Sequence, residues 1–152
     1  MSKMIKIGAA LALTMTMSFG ETKADAKAHV EAGVEHCKAV GIAQCIKDFQ
    51  KPASKWVKGT LYIWSNDLDG VITAHPIKPK LVGKNLNKLK DKNGVALFAE
   101  FNKMVKANGE GWVGYVWAHP VSKKPADKHS FVKGIGENQL IGCGVYINDE
   151  AK

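Results

Sequence analysis

GWVGYVWAHPVSKKPADKHSFVK, residues 111–133, is the stretch whose reading decides the fold. Its first part alternates, with Val113, Tyr115 and Trp117 on one face of a strand and Trp112, Gly114 and Val116 on the other. A Pro- and Lys-rich loop, His119 to Asp127, turns the chain back into a second strand, Lys128 to Lys133. Spacing alone reads Tyr115 and Trp117 as ordinary core aromatics. The hairpin also brings a lysine, Lys128, to the mouth of that aromatic face, which is the arrangement of a small pocket with a cation at its edge.

On the N-terminal side, Ala26, Val30, Gly33, Val34, Cys37 and Val40 recur at helical steps up to Gly41, and Ile42 to Phe49 forms a short second helix closed by Pro52. Thr60 to Ser65 reads as a strand, Asn66 to Gly70 as a turn and Val71 to His75 as the return arm. Ile77 to Gly94 is rich in lysine and glycine and reads as a long strap rather than a strand. Leu97, Phe98, Phe101, Met104 and Val105 mark a further amphipathic helix ended by Asn108-Gly109. In Leu140 to Ile147, the residues Ile141, Cys143, Val145 and Ile147 alternate with Gly142, Gly144 and Tyr146, so two glycines leave room on one face. The expectation is an α+β domain, with five antiparallel strands, a long leading helix and a loop and helix over one face.

The ordered blocks LYIWSNDLDGVITAHP, LVGKNL, KDKNG, GEGWVGYVWAHP, KHSFVK and IGCGVYIND resemble a single Cache domain, a PAS-like extracytoplasmic sensor module, over about residues 56–149. The resemblance implies a central sheet whose concave face binds a small molecule under a loop-and-helix lid. It implies a ligand of the acetate, propionate or pyruvate class and a place at the sensory end of a membrane chemoreceptor or histidine kinase. Carried over by motif, the ligand-binding residues are His75 of AHP, Tyr115 and Trp117 of YVW, and Lys128 of K-x-S. Phe131 stands where the family often has Tyr, so it enters as a further pocket candidate with one hydroxyl fewer.

Lys128 and His75 together offer an anion one cation and one imidazole donor, Tyr115 adds a hydroxyl, and Trp117 encloses an apolar end. Asp91, in Asp91-Lys92-Asn93-Gly94, is a pocket candidate through the strap, although its place before Asn-Gly favours a turn. Asp67 and Asp69 fit a hairpin turn and lack the later glutamate of a calcium loop. His29 and His36 lie too far apart for a chelating pair, and no metal or cofactor is expected. None of the local signatures of hydrolases, metalloproteases or phosphate-binding loops is present, so a non-catalytic module is expected.

The chain of 152 residues carries a formal charge of +8, and all 22 basic side chains are lysines. Without a guanidinium fork, a nucleic-acid reader is not expected, and anions must be held by Lys, His, hydroxyls or backbone N–H groups. Lys3 and Lys6 precede an apolar run, Ile7 to Gly20, followed by small residues, which reads as a signal peptide over residues 1–20 with the cut as late as 26. The domain then runs from 26 to 149, and a periplasmic or secreted location follows. In that oxidising setting Cys37 and Cys45 are candidates to pair across Gly41 if the helices fold back far enough, and spacing leaves the pairing open. No signalling segment follows Ile147, so the expectation is a small-carboxylate sensor read by a separate partner. The alternative is a protein-interaction subunit of a membrane sensor or redox complex without a working pocket.

Overall fold

The computed structural model describes residues 21–147. The signal-peptide reading of residues 1–20 and the last two residues of the expected domain, 148–149, therefore lie outside the described residues.

Helix α1, Lys23–Val40, begins in a reciprocal cap: the Asp25 N–H donates to the Thr22 hydroxyl and the Thr22 N–H to the Asp25 carboxylate. It ends at Gly41, whose φ of 88° stops the helix and starts α2, Ile42–Gln50. A disulfide joins Cys37 to Cys45 across this bend, with Cα atoms 5.0 Å apart. Closing so short a loop stabilises the fold by roughly 2 kcal/mol in the chain-entropy picture. Reduction in dithiothreitol is accordingly expected to lower the thermal midpoint by several degrees and to leave the sheet signal of circular dichroism intact below it.

Five strands form one antiparallel sheet in the order β4-β3-β7-β6-β5: β3 Trp64–Asp67, β4 Ile72–Ala74, β5 Glu110–Ala118, β6 Pro125–Ile135 and β7 Gln139–Tyr146. The expected strand at Thr60 to Ser65 is split. Leu61–Tyr62 (β2) pairs with Val57–Lys58 (β1) in a separate small ribbon, and β3 runs on through Asn66 and Asp67, which the sequence assigned to the turn. Asp67 makes the turn from the strand end, its carboxylate accepting the N–H groups of Asp69 and Val71. The β5–β6 loop is shorter than expected, because Pro125 to Asp127 already pair with Ala118, Trp117 and Val116.

Alternation sorts the sheet into two faces. Ile141, Cys143, Val145, Phe131 and Ile135 meet α1 and α2 in one core with Ala26, Val30, Val34 and Phe49. Tyr115, Val132, Leu140 and Trp64 meet helix α3, Leu97–Asn108, in a second core with Phe98, Phe101 and Val105. The strap between β4 and α3 has a single 3-10 turn, Pro79–Leu81, and is laced to β4 by the Ile72 N–H on the Lys84 carbonyl and the Gly83 N–H on the Ile72 carbonyl. The α3 face carries the site.

Candidate functional site

Lys128 sits in the middle of β6, between Tyr115 of β5 and Tyr146 of β7 in the pairing register. It lies on the α3 face and is only 1% exposed. Its Nζ donates to the Tyr62 hydroxyl at 3.0 Å and stands 4.1 Å from the Tyr62 ring centre, 5.0 Å from that of Tyr146 and 5.7 Å from that of Trp64. Among the described residues no carboxylate pairs with it, and Tyr62 is the one hydrogen-bond acceptor the protein presents to its N–H groups. Burial without a counter-ion pulls the amine from its ordinary 10.5 down to about 7. Cation–π contact offsets part of that cost.

Two glycines make room for this lysine. A Cβ on Gly144 would stand 2.1 Å from the Ser130 hydroxyl oxygen, 2.6 Å from the His129 carbonyl oxygen and 2.9 Å from Lys128 Cε. A Cβ on Gly142 would stand 2.3 Å from the Trp64 ring. The bare backbone of β7 lets the lysine stem and the indole lie flat on the sheet, which delivers Nζ to Tyr62.

His75 is buried beside this cluster, its ring 5.3 Å from that of Tyr62 and 6.1 Å from that of Trp117. Gln50 of α2 holds its backbone through two hydrogen bonds, and its Nδ1 accepts the Lys78 N–H at 3.0 Å. An accepting Nδ1 assigns the proton to Nε2, so the ring is a neutral donor. Burial, with Lys128 and Lys78 nearby, pushes its pKa down to about 3. The Tyr115 hydroxyl pairs with that of Ser130 at 2.8 Å, and Tyr115 packs edge-on against Phe101. Trp117 lies between Phe98 and His75, with Lys78 Nζ 5.6 Å above its ring.

Outside Trp117 and Leu97 a cleft of about 260 Å³ opens, bordered by Lys78, Lys90, Lys92, Val116 and Pro125. Lysines at its rim favour the approach of anions, and the buried Lys128 is not among its lining residues. Larger depressions, such as that between α3 and Asn87, are open and present no buried charge.

Two candidates from the sequence lie outside the cluster around Lys128, one in the wall of the cleft and one behind the sheet. Asp91 turns its carboxylate to backbone: one oxygen accepts the Asn93 and Val95 N–H groups and the other the Val116 N–H at 2.8 Å. Its oxygens serve a turn that ties the strap to the edge of β5, while the residue itself lines the cleft outside Trp117. Phe131 alternates with Ser130 and therefore faces α1, against Trp112 and under Lys27 Nζ. The hydroxyl beside Lys128 comes from Tyr62, so the phenylalanine at 131 costs the pocket nothing. The leading-helix histidines are structural: His29 Nε2 meets the Trp56 carbonyl at 3.0 Å and His36 Nε2 the Asp48 carboxylate at 2.8 Å.

The family model for the Cache domain matches residues 3–152. The chain belongs to the Cache domain family. A methyl-accepting chemotaxis protein from Vibrio parahaemolyticus superposes with a TM-score of 0.72 at 29% identity, over 84% of this chain and 90% of that one. A Cache chemosensory domain solved for the structural basis of carboxylic acid recognition superposes with a TM-score of 0.63 at 29% identity, over 80% and 85%. In sequence, the methyl-accepting chemotaxis protein McpP of Pseudomonas putida is 34% identical over 89 residues, which is 58% of this chain and 16% of that protein. The chain thus matches a small part of the length of that chemotaxis protein.

For this Cache domain the sequence reading missed Tyr62, Trp64, Ser130 and Tyr146 as neighbours of Lys128. Ser130 and Tyr146 were within reach: the first is two residues from Lys128 on the same strand face, and the second shares its strand face with the two glycines. Tyr62 was not, because it lies in the β1–β2 ribbon that no local pattern announced.

Proposed function

We propose that this Cache domain binds a small carboxylate without turning it over, the acid's oxygens taking the N–H groups of Lys128 that the protein leaves without an acceptor. One observation carries the reading: an ammonium held among three aromatic rings with no acid to pair with it among the described residues. Such a group costs free energy alone and repays it when a carboxylate completes the pair. The His75 Nε2–H and the Tyr115–Ser130 hydroxyl pair are further donors for the second oxygen, while Trp117 and Phe98 bound the apolar end. The cage has no second buried cation, which favours acids of the acetate, propionate or pyruvate class over dicarboxylates. The disulfide and the apolar N-terminal run support an extracytoplasmic place, and the chemotaxis relatives support a separate signalling protein or membrane receptor as listener.

The test is a thermal-shift panel of short acids with their amides. An acid at a hundred times its dissociation constant adds about 2.7 kcal/mol and raises the midpoint by several degrees, and the amide does not. No shift with any acid would remove the pocket reading and favour an interaction subunit that co-purifies with a membrane protein.

Binding should also follow the protonation of one group. Burial keeps Tyr62 and Tyr115 well above their ordinary range, lifts Cys143 to about 12 and holds His75 near 3, so none of them changes charge around neutrality. The amine at about 7 does, and the carboxylate needs its charged form. Affinity for acetate, measured by calorimetry, is expected to be flat from about pH 5.5, above the acid's own protonation, up to the amine's pKa and to fall about tenfold per unit above it, with proton uptake on binding.

A further inference from the structure

The same enclosure that suits Lys128 to hold an anion suits it to act as a nucleophile. Resting on the carboxylate-site reading, we propose that Lys128 captures 2-oxo acids covalently, its Nζ forming a reversible imine with the ligand's carbonyl carbon. The amine is enclosed on three sides by Tyr62, Tyr146 and Trp64, has no acid beside it to keep it protonated, and has a phenolic hydroxyl 3.0 Å away to relay protons. A desolvated lysine of this kind is the form in which the residue reacts with carbonyls. Burial leaves a large part of the amine neutral near pH 7, whereas an exposed lysine is almost wholly protonated there.

The steps balance without any redox partner. The nitrogen lone pair adds to the carbonyl carbon. The ligand oxygen takes a proton relayed through the Tyr62 hydroxyl, which regains one from the nitrogen, giving a carbinolamine. A second proton, taken from water, leaves with that hydroxyl as a water molecule while the nitrogen lone pair closes the C=N bond. In sum, one neutral amine, one carbonyl and one proton give one iminium and one water. The iminium keeps a cation among the rings, and the acid's own carboxylate beside it supplies the counter-charge that the protein lacks. The His75 Nε2–H and the Tyr115–Ser130 pair can hold that carboxylate.

The purified chain is incubated near neutral pH with pyruvate and sodium cyanoborohydride, whose hydride reduces the iminium to a stable secondary amine, and then peptide-mapped by mass spectrometry. Expected is one fixed pyruvate per chain at Lys128, formed at least about tenfold faster than at any exposed lysine because more of the amine is neutral. Excess acetate should suppress fixation at Lys128 and leave the slow background on exposed lysines unchanged, a control that needs no variant. Lys128→Met should leave the background alone. If pyruvate raises the thermal midpoint yet Lys128 stays unmodified, or labelling merely scatters over exposed lysines, the imine is overturned and the carboxylate site stands. If neither acetate nor pyruvate shifts the midpoint and Lys128 stays unmodified, both fall together.

Discussion

Lys128→Met is expected to make the domain more stable and unable to bind its acid. Methionine keeps much of the lysine stem's volume in the space between Gly144, Tyr62 and Tyr146 and removes a charge that the empty protein holds without a counter-ion. Replacing buried charge by an apolar side chain of similar volume is neutral or stabilising by about 1–4 kcal/mol. Because folding lowers the lysine's pKa from 10.5 to about 7, the unfolded chain holds a proton in that interval that the folded chain has shed. Wild-type stability therefore rises with pH from about 7 towards 10.5, and the variant's advantage is largest below 7 and shrinks above it. Loss of a buried charge-assisted contact costs about 2–5 kcal/mol of binding, or roughly thirtyfold and more in affinity. Urea titrations at pH 6 and 9 with acetate calorimetry check both halves; a variant that binds as wild type does removes Lys128 from the site.

The second large effect is at Gly144. In Gly144→Ala the new methyl meets the His129 carbonyl oxygen at 2.6 Å and Lys128 Cε at 2.9 Å. The lysine stem can yield, but the carbonyl belongs to β6 and cannot move without parting the strands. The expected cost is about 1–3 kcal/mol, read as a drop of several degrees in the thermal midpoint. Acetate binding is lost as well, because the stem that yields is the one that aims Nζ at Tyr62. A midpoint within a degree of wild type with unchanged affinity would show that the space above Gly144 is not what positions the lysine. Paired with Lys128→Met, the two variants separate stability from binding: both abolish the ligand, and they move the midpoint in opposite directions.

What the sequence makes legible follows the range of each interaction. The alternation of residues 111–117 and 140–147, the helical spacing before Gly41 and the stop at Gly109 are local signals, and each element stands within a few residues of its expected place. Tyr115, Trp117, Lys128 and His75 do converge on the α3 face, the last through its ring contacts with Tyr62 and Trp117. Asp91 and Phe131 lie outside the Lys128 cluster for opposite reasons. The turn preference of Asp91 overrides its nearness to the pocket strap, and the period of two puts Phe131 behind the sheet however near it lies to Lys128 in sequence. Tyr62 was illegible because a two-residue ribbon carries no periodicity, so its contact with Lys128, 66 positions away, is a matter of tertiary packing alone.

The alternation along β6 has a mechanical consequence. Lys128 and Ser130 are buried on the α3 face, while Phe131, on the next position of the same backbone, is packed under α1. On the proposed carboxylate reading, a shift of that backbone as the amine draws in an acid reaches the helix on the far side of the sheet through Phe131. The Cys37–Cys45 bridge joins α1 to α2, and Gln50 at the end of α2 grips the backbone of His75, so the two helices and the histidine are linked in series. On the proposed carboxylate reading, that linkage makes the outer surface of α1 the place where a listening protein would feel an acid arrive at Lys128.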